Sequence, residues 1–467
     1  MKSVFYHAIP KILLGFSAKS SIVITEQHRK KTGYATMTSC SELIRALEQG
    51  EYDSHLRRLY ALDGRTESLD CAKKRAAQLI REFQRHFPHH TGAALFSSPG
   101  RTEIGGNHTD HQHGTVLCAS VDLDMLCCAA PNECDAIRIH SEGYPAIDVS
   151  LKELSPLPQE RSTSAALVRG IAARFSQLGF PLCGFDACIT SNVLSGSGLS
   201  SSAAYEVLIG TVLNHFSCEN SLDPIEIAKI GQYAENVYFG KPCGLMDQMA
   251  AAVGGITFID FRDPAAPVVE GIDCDFSRSG HALCIVDTGS HHADLTDDYA
   301  QILRDMGAVA AHFGKTVLRD VPEAEFYDAI PALRASAGSR AILRAIHFYD
   351  DNRRASLEAQ ALSAGDFDRF LTLVKASGIS SSLHLQNTWS LSAPEQQPIP
   401  LALALGEQLL QGRGAIRVHG GGFAGTIQAF VPNDAVPAFK DGMESCFGAG
   451  SCHILRIRPQ GGCVVIP

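Results

Sequence analysis

The sequence predicts an α+β fold of two domains, and three observations carry that prediction. The chain has 467 residues, too many for one ordinary core and suited to two or three domains. Strand-like and helix-like segments succeed one another without the regular alternation of a βαβ protein. A run of small residues at 192–204, Asn-Val-Leu-Ser-Gly-Ser-Gly-Leu-Ser-Ser-Ser-Ala-Ala, feeds straight into the apolar, helix-like stretch Tyr205–Leu213.

Residues 1–36 fit poorly with the rest of the chain. Ile9–Phe16 is apolar but lacks a signal-peptide core and cleavage site, and the segment then turns basic through Gln27–Lys31. These residues read as a disordered extension or an upstream start. Met37–Ile44 makes a cleaner beginning, with Ser or Thr placed to cap a helix. Ser41 to Phe87 is helical and charged. Ala94–Ser97 reads as a strand, 98–114 as a polar loop, and Val116–Ala130 as a long strand or pair of strands. Ile137–His140 and Ile147–Val149 alternate like half-exposed strands. Leu167–Leu178 is a helix, Phe185–Ile189 a strand and Ile225–Tyr238 a second long helix, with a strand after it near Ile256–Asp260. The Pro-rich stretch Arg262–Pro267 marks a boundary, giving an N-terminal domain over 37–270 and a C-terminal domain over 271–467. Within the latter, Ala282–Val286 is a strand, Tyr299–Phe313 a helix, and 339–376 largely helical. Ala415–Val418 enters a glycine cluster that Gly425–Val431 leaves as a strand.

Composition removes several classes of function. A net charge of −10 lacks the basic surface of a general nucleic-acid binder. The fifteen cysteines form no Cys-x-x-Cys pair and no Cys/His cluster at zinc spacing, so they read as reduced thiols in a cytoplasm. No apolar stretch approaches the roughly 20 residues that span a bilayer. A cytoplasmic monomer or weak homo-oligomer, free of nucleic acid and membrane, is expected.

Two segments carry chemistry. Small residues in 192–204 let the backbone approach a ligand, and a glycine turn opening a helix aims N–H groups and the positive dipole end at one point. That point suits nucleotide phosphates. The run is neither a Walker A loop, since no Lys comes after its last Gly, nor a dinucleotide fingerprint. A Gly/Ser linker is the bland alternative, but a linker should not run into an apolar helix. The second segment, Ser98–Gly114, holds three histidines, two carboxylates and an arginine. Its spacing matches no zinc helix. A solvated loop explains its charge but not the interleaved Gly and Thr, which fit a polyhydroxylated ligand.

Here the sequence resembles galactokinase. Residues 99–114 look like that family's Pro-Gly-Arg…Gly-Glu-His-Thr-Asp signature, and the Gly/Ser run resembles the ATP motif shared with homoserine, mevalonate and phosphomevalonate kinases. Cys243–Gln248 resembles the segment of the catalytic aspartate, and Gly420–Thr426 the C-terminal glycine motif. The resemblance implies a two-domain sugar kinase with its active site between the domains, using ATP and Mg²⁺ on a small-molecule sugar. Asp247 would take the proton of the anomeric (C1) hydroxyl, with Arg101 keeping it ionised. Gly196, Ser197, Gly198, Leu199, Ser200, Ser201 and Ser202 would bind ATP, while Ser202 and Glu235 would hold Mg²⁺. Asn107, His108, Asp110, Tyr299 and Gly244 would meet the sugar. Without the family match, Asp247 could be a buried structural acid, Glu235 a solvated helical acid and Tyr299 core packing.

The pattern departs at the sugar. Asn107 stands where galactokinases carry a glutamate that contacts the C6 hydroxyl; a carboxylate there would repel a substrate acidic at C6, whereas Asn would tolerate it. His111-Gln112 replaces the usual Tyr-Asn and resembles plant galacturonokinases, and residues 299–306 lack paired arginines. Galactose phosphorylation at C1 is the first expectation, with galacturonate or another C6-modified galacto-sugar the alternative. A silent sugar sensor on a kinase fold is the second alternative, although the intact Gly196–Ala203 run favours catalysis.

Overall fold

The computed structural model describes residues 37–62, 66–193, 198–289 and 296–467. The extension 1–36 and the expected phosphate contacts Gly196 and Ser197 lie outside them. Three helices, Cys40–Gln49, Asp53–Leu59 and Thr66–His86, open the described chain. The first starts in a complete capping box, in which the Ser39 side chain accepts from the Glu42 N–H and the Glu42 carboxylate accepts from Ser39.

The strands form two sheets. An eight-stranded sheet contains β1 (Ala94–Gly105), β2 (Thr115–Pro131), β3 (Ala136–Ser141), β4 (Ile147–Ser150), β5 (Phe185–Ser191), β6 (Ile256–Asp260), β7 (Val268–Ile272) and, from the far end of the chain, β12 (Cys463–Ile466). Its main path runs β12-β1-β2-β5-β3-β4. The long β2 pairs β6 through its first half and β5 through its second. A four-stranded antiparallel sheet holds β8 (His281–Asp287), β9 (Ala415–Val418), β10 (Thr426–Pro432) and β11 (Cys452–Leu455), in the order β11-β8-β10-β9. The expected two-domain α+β architecture takes the form of these two sheets, packed into one compact unit over 38–467. β7 spans the expected boundary near 270, and β12 returns to the first sheet.

Two apolar cores involve the helices after β8. Ile302, Met306 and Val309 of helix Thr296–His312 pack on Ala345 and Phe348 of helix Ser339–Ser363. In the core of the second sheet, Val286, Val418, Ile427 and Ala429 meet Phe439 and Met443 of helix Val436–Phe447.

The sequence pattern ends the first strand at Ser97, whereas β1 runs on to Gly105 with all twelve residues buried. Pro99 falls where the β1–β2 register shifts, a position that spares the ladder an N–H. The polar residues beyond it are tolerated inside because each finds a partner. The neighbouring strand is tied in the same way. Asp124 on β2 is fully buried and accepts from Tyr60 (2.8 Å), Arg458 (3.2 Å), Arg75 and Ser97. Burial pushes its carboxyl up, but the Arg75 and Arg458 guanidinium groups win and hold it below the usual carboxylate range.

Removing this carboxylate would leave two guanidinium groups without their counter-charge. Asp124→Ala should therefore lose about 3–5 kcal/mol of stability, the usual result of breaking a buried pair from one side. Urea unfolding of the two proteins measures it, and a loss under about 1 kcal/mol would mean the cluster is solvated.

Candidate active site

Arg101 projects from β1 and is 6% exposed. Its Nε donates to Asp247 Oδ1 at 2.7 Å, a second guanidinium nitrogen donates to the Gly198 carbonyl, and its own N–H donates to the Leu199 carbonyl at 3.0 Å. Asp247 is the second residue of helix Met246–Val253, where the dipole favours a carboxylate. Its other oxygen accepts from Ser200 Oγ at 2.7 Å. Burial pushes this carboxyl up, but the Arg101 charge and hydrogen bond, Ser200 and the Lys241 charge bring it down to about 2. The side chain is still 33% exposed, so an ionised carboxylate faces the cleft.

The residues of the Gly/Ser run, expected to bind phosphate, meet this pair directly. Helix Ser201–Cys218 begins after Ser200, which has left-handed backbone (φ 56°) and spends its hydroxyl on Asp247 instead of capping the helix. The first N–H groups of that helix, at Ser201, Ser202 and Ala203, have no side-chain cap. Gly198 (φ +72°) faces the second sheet. A Cβ there would stand 2.8 Å from Thr426 Oγ1 and 3.0 Å from His419 Nδ1.

Ser202 opens the helix that also carries Glu206, one turn further along the same face. Glu235 lies in a π-helical turn, Ala234–Phe239, that ends the expected second helix early. Such turns often re-aim a functional side chain. Glu235 is 3% exposed and accepts from Lys241 (3.2 Å) and Gln248 (3.0 Å). Gln248 also donates to Glu206 at 2.9 Å. Glu206 is fully buried with Oε1 unpartnered among the described residues, and burial followed by the Glu235 charge pushes its carboxyl well up. Sequence reasoning missed Glu206, although an acid four residues after Ser202 in an apolar helix was a visible signal.

The sugar-signature residues converge on the glycine turn between β9 and β10. His108 has left-handed backbone (φ 59°), rare for a side chain of this size, and is fixed by Nε2 against the Gly421 carbonyl at 2.9 Å. Burial lowers its imidazole to about 4, so it stays neutral. Tyr299 donates to the Gly422 carbonyl at 3.0 Å, and its ring lies 6.2 Å from that of His108. Asp110 opens a 3₁₀ turn and approaches Gly244 so closely that a Cβ there would stand 2.0 Å from Asp110 Oδ2. Gly244 is thus the space that lets Asp110 reach the segment leading to Asp247.

Asn107 is different. It is fully buried; Nδ2 donates to Glu103 Oε1 and the Gly420 carbonyl, both at 2.8 Å, and Oδ1 accepts from Asn387 (2.8 Å) and Ser381 (3.2 Å). Two donors and two lone pairs are its whole capacity, so protein groups occupy every position that a sugar hydroxyl would use. Its backbone N–H donates to Asp351, and its carbonyl accepts from His347. Asn107 anchors the loop 106–114 to helix Ser339–Ser363. Glu103 accepts from Arg417 of β9 at 3.0 Å as well. Its carboxyl is pushed up by burial, partly restrained by Arg417 and Arg101, and settles at about 7.

These features match known proteins. The family described as GHMP kinases N terminal domain matches residues 166–255, and the galactokinase galactose-binding signature matches residues 81–131. The Lactococcus lactis galactokinase crystallised with galactose shares the fold at a TM-score of 0.69 and 24% identity, over 82% of this chain and 97% of that one. The L. major mevalonate kinase crystallised with R-mevalonate shares it at a TM-score of 0.53 and 16% identity, over 80% and 97% of the two chains. The fold is that of the GHMP kinases. A galactokinase of Streptomyces coelicolor is 30% identical over 366 residues, 78% of this chain and 91% of that protein. The chain belongs to the galactokinase family of sugar kinases, which are phosphotransferases.

This geometry has two measurable consequences. Because Glu103 holds its proton more tightly folded than unfolded, the stability this contributes is full below pH 4.5 and lost as pH rises through about 7. Glu103→Gln should flatten that part of the Tm–pH curve, and an unchanged slope would assign it to other groups. Gly198→Val should raise the KM for ATP about tenfold or more, since a branched side chain meets Thr426 and His419 where φ is positive. Steady-state kinetics with ATP varied reads this, and an unaltered KM would free the loop from that constraint.

Proposed function

We propose that this kinase transfers the γ-phosphoryl group of ATP to the C1 hydroxyl of galactose. The observation that carries this reading is the Arg101–Asp247 pair, an ionised carboxylate held 2.7 Å from a guanidinium beside the end of the phosphate loop. The C1 oxygen forms a bond to phosphorus while the β–γ bridging bond breaks and ADP leaves. The hydroxyl proton passes to Asp247. A carboxyl near 2 is a weak base, so Asp247 orients the hydroxyl and accepts its proton late, which suits a loose phosphoryl transition state. Arg101 offsets charge on the transferring group.

His108, Asp110 and Tyr299 would meet the sugar, with Gly244 leaving room for Asp110. Asn107 would act through the loop it holds. The N–H groups at the start of helix Ser201–Cys218, with Gly198, Leu199 and Ser200, would cradle the ATP phosphates. Ser202 and Glu235 would hold Mg²⁺, and the unpartnered buried Oε1 of Glu206 beside them fits a cation at this place. Bound there, the ion would neutralise phosphate charge.

Galactose is preferred over galacturonate because the matched signature and relative are those of galactokinases, and the feature that would tolerate an acid at C6 is Asn107. The amide of Asn107 is already committed to Glu103, Gly420, Asn387 and Ser381. An assay of ADP release with galactose, galacturonate and glucose tests the reading: galactose should be turned over fastest, and silence with galactose would overturn it. In the same assay Asp247→Asn, a near-isosteric change, should lower kcat about 100-fold or more. Activity near that of the parent would move the proton acceptor elsewhere.

A further inference from the structure

A second cluster of chemistry-bearing side chains takes no part in phosphoryl transfer. His89 and His90 lie between helix Thr66–His86 and β1, and Asp186 is the second residue of β5. The Nε2 atoms of His89 and His90 stand 3.2 and 2.9 Å from the same oxygen, Asp186 Oδ2. Arg138 on β3 reaches that oxygen as well, at 3.1 Å. Three nitrogens therefore address an atom with two lone pairs. The other oxygen, Oδ1, is held by Asn132 at 2.6 Å and by Arg138 Nε at 2.8 Å.

The crowding at Oδ2 has a simple resolution if the two imidazoles turn lone pairs, rather than protons, toward a shared cation. Zinc bonds of about 2.0–2.1 Å in a tetrahedron leave neighbouring ligand atoms about 3.3 Å apart. The observed 2.9 and 3.2 Å are near that spacing, and all three ligand atoms lie within 4.8 Å of one another. Asp186 is fully buried, so its carboxylate is rigid. The His90 ring stacks on Phe83 at 5.6 Å, while His89 is 58% exposed and leaves the outer side open to water.

We propose that His89, His90 and Asp186 form a binding site for a borderline divalent metal ion, foremost Zn²⁺, with water as the fourth ligand. Two imidazoles and one carboxylate suit zinc, whereas Mg²⁺ prefers oxygen alone, so this site is distinct from any magnesium at the phosphates. Asn132 and Arg138 orient the carboxylate through its second oxygen. The positive charge of Arg138 beside the carboxylate weakens the binding. An ion here ties the turn before β1, the strand of Arg101, to β5, the strand that leads into the phosphate loop.

The full chain, freed of metal by chelation, is titrated with Zn²⁺ by calorimetry and with Co²⁺ by absorption. One ion per chain should bind, with weak visible bands and without the strong near-ultraviolet band of thiolate ligation, and Zn²⁺ should raise Tm. His89→Gln/His90→Gln should weaken binding at least tenfold and abolish the Tm shift while kinase turnover stays as in the parent. His89→Gln alone, at an exposed position, should act in the same direction if the double variant folds poorly. Absence of saturable binding, a thiolate band, or an affinity unmoved by either variant would overturn the assignment.

Discussion

Charge carried into the interior by β1 is the constraint on which the rest depends. All twelve residues of this strand are buried, Arg101 and Glu103 among them. An unpaired charge there would cost more than a domain can spare, so each needs a partner with matched geometry. Neither partner is close in sequence. Asp247 comes from a helix 146 residues further on, and Arg417 from a strand of the other sheet 314 residues away. Burying β1 therefore requires both sheets together, and the same pairing assembles the cleft.

This shared origin explains why the polar groups of the cleft are so differently tuned. Asp247 has a guanidinium, a hydroxyl and a distant ammonium on its side, and it stays ionised at the edge of solvent. Glu103, two residues along β1 from Arg101, lies deeper and is pushed toward neutrality despite Arg417. Glu206 goes further the same way, beside a second carboxylate. The glycine turn between β9 and β10 is the other half of the cleft. His108 and Tyr299 bond to its carbonyls, and Asn107 bonds to Gly420 from below. Backbone acceptors of this turn thus hold residues 107 and 108 together with the side chains of Glu103, Asp351, Ser381 and Asn387, and small residues in the turn permit the approach. Close approach needs an absent Cβ.

Much of the fold was legible. The strands near 116–130, 137–140, 185–189 and 282–286 and the helix after the Gly/Ser run are dictated by period and turn residues, and the structure contains each. Polar composition concealed the continuation of β1, because nothing local tells a buried paired arginine from a solvated one. The π-turn at Glu235 escaped the helical period for a similar reason, since it is set by packing against helix Ser164–Gln177.

The sequence by itself determined the family, the order of its motifs and the residue types that meet in the cleft, because those motifs are short and their chemistry is local. It named Arg101 and Asp247, which lie within hydrogen-bond distance. Only the tertiary structure decided which groups remain open to a ligand. Asn107 reads as a sugar contact because it stands where galactokinases carry a glutamate that contacts the C6 hydroxyl, yet three of its four hydrogen-bonding positions are filled from 274 to 313 residues away and the fourth from four residues off. Hydrogen-bond capacity is finite, and only folding decides which partners use it.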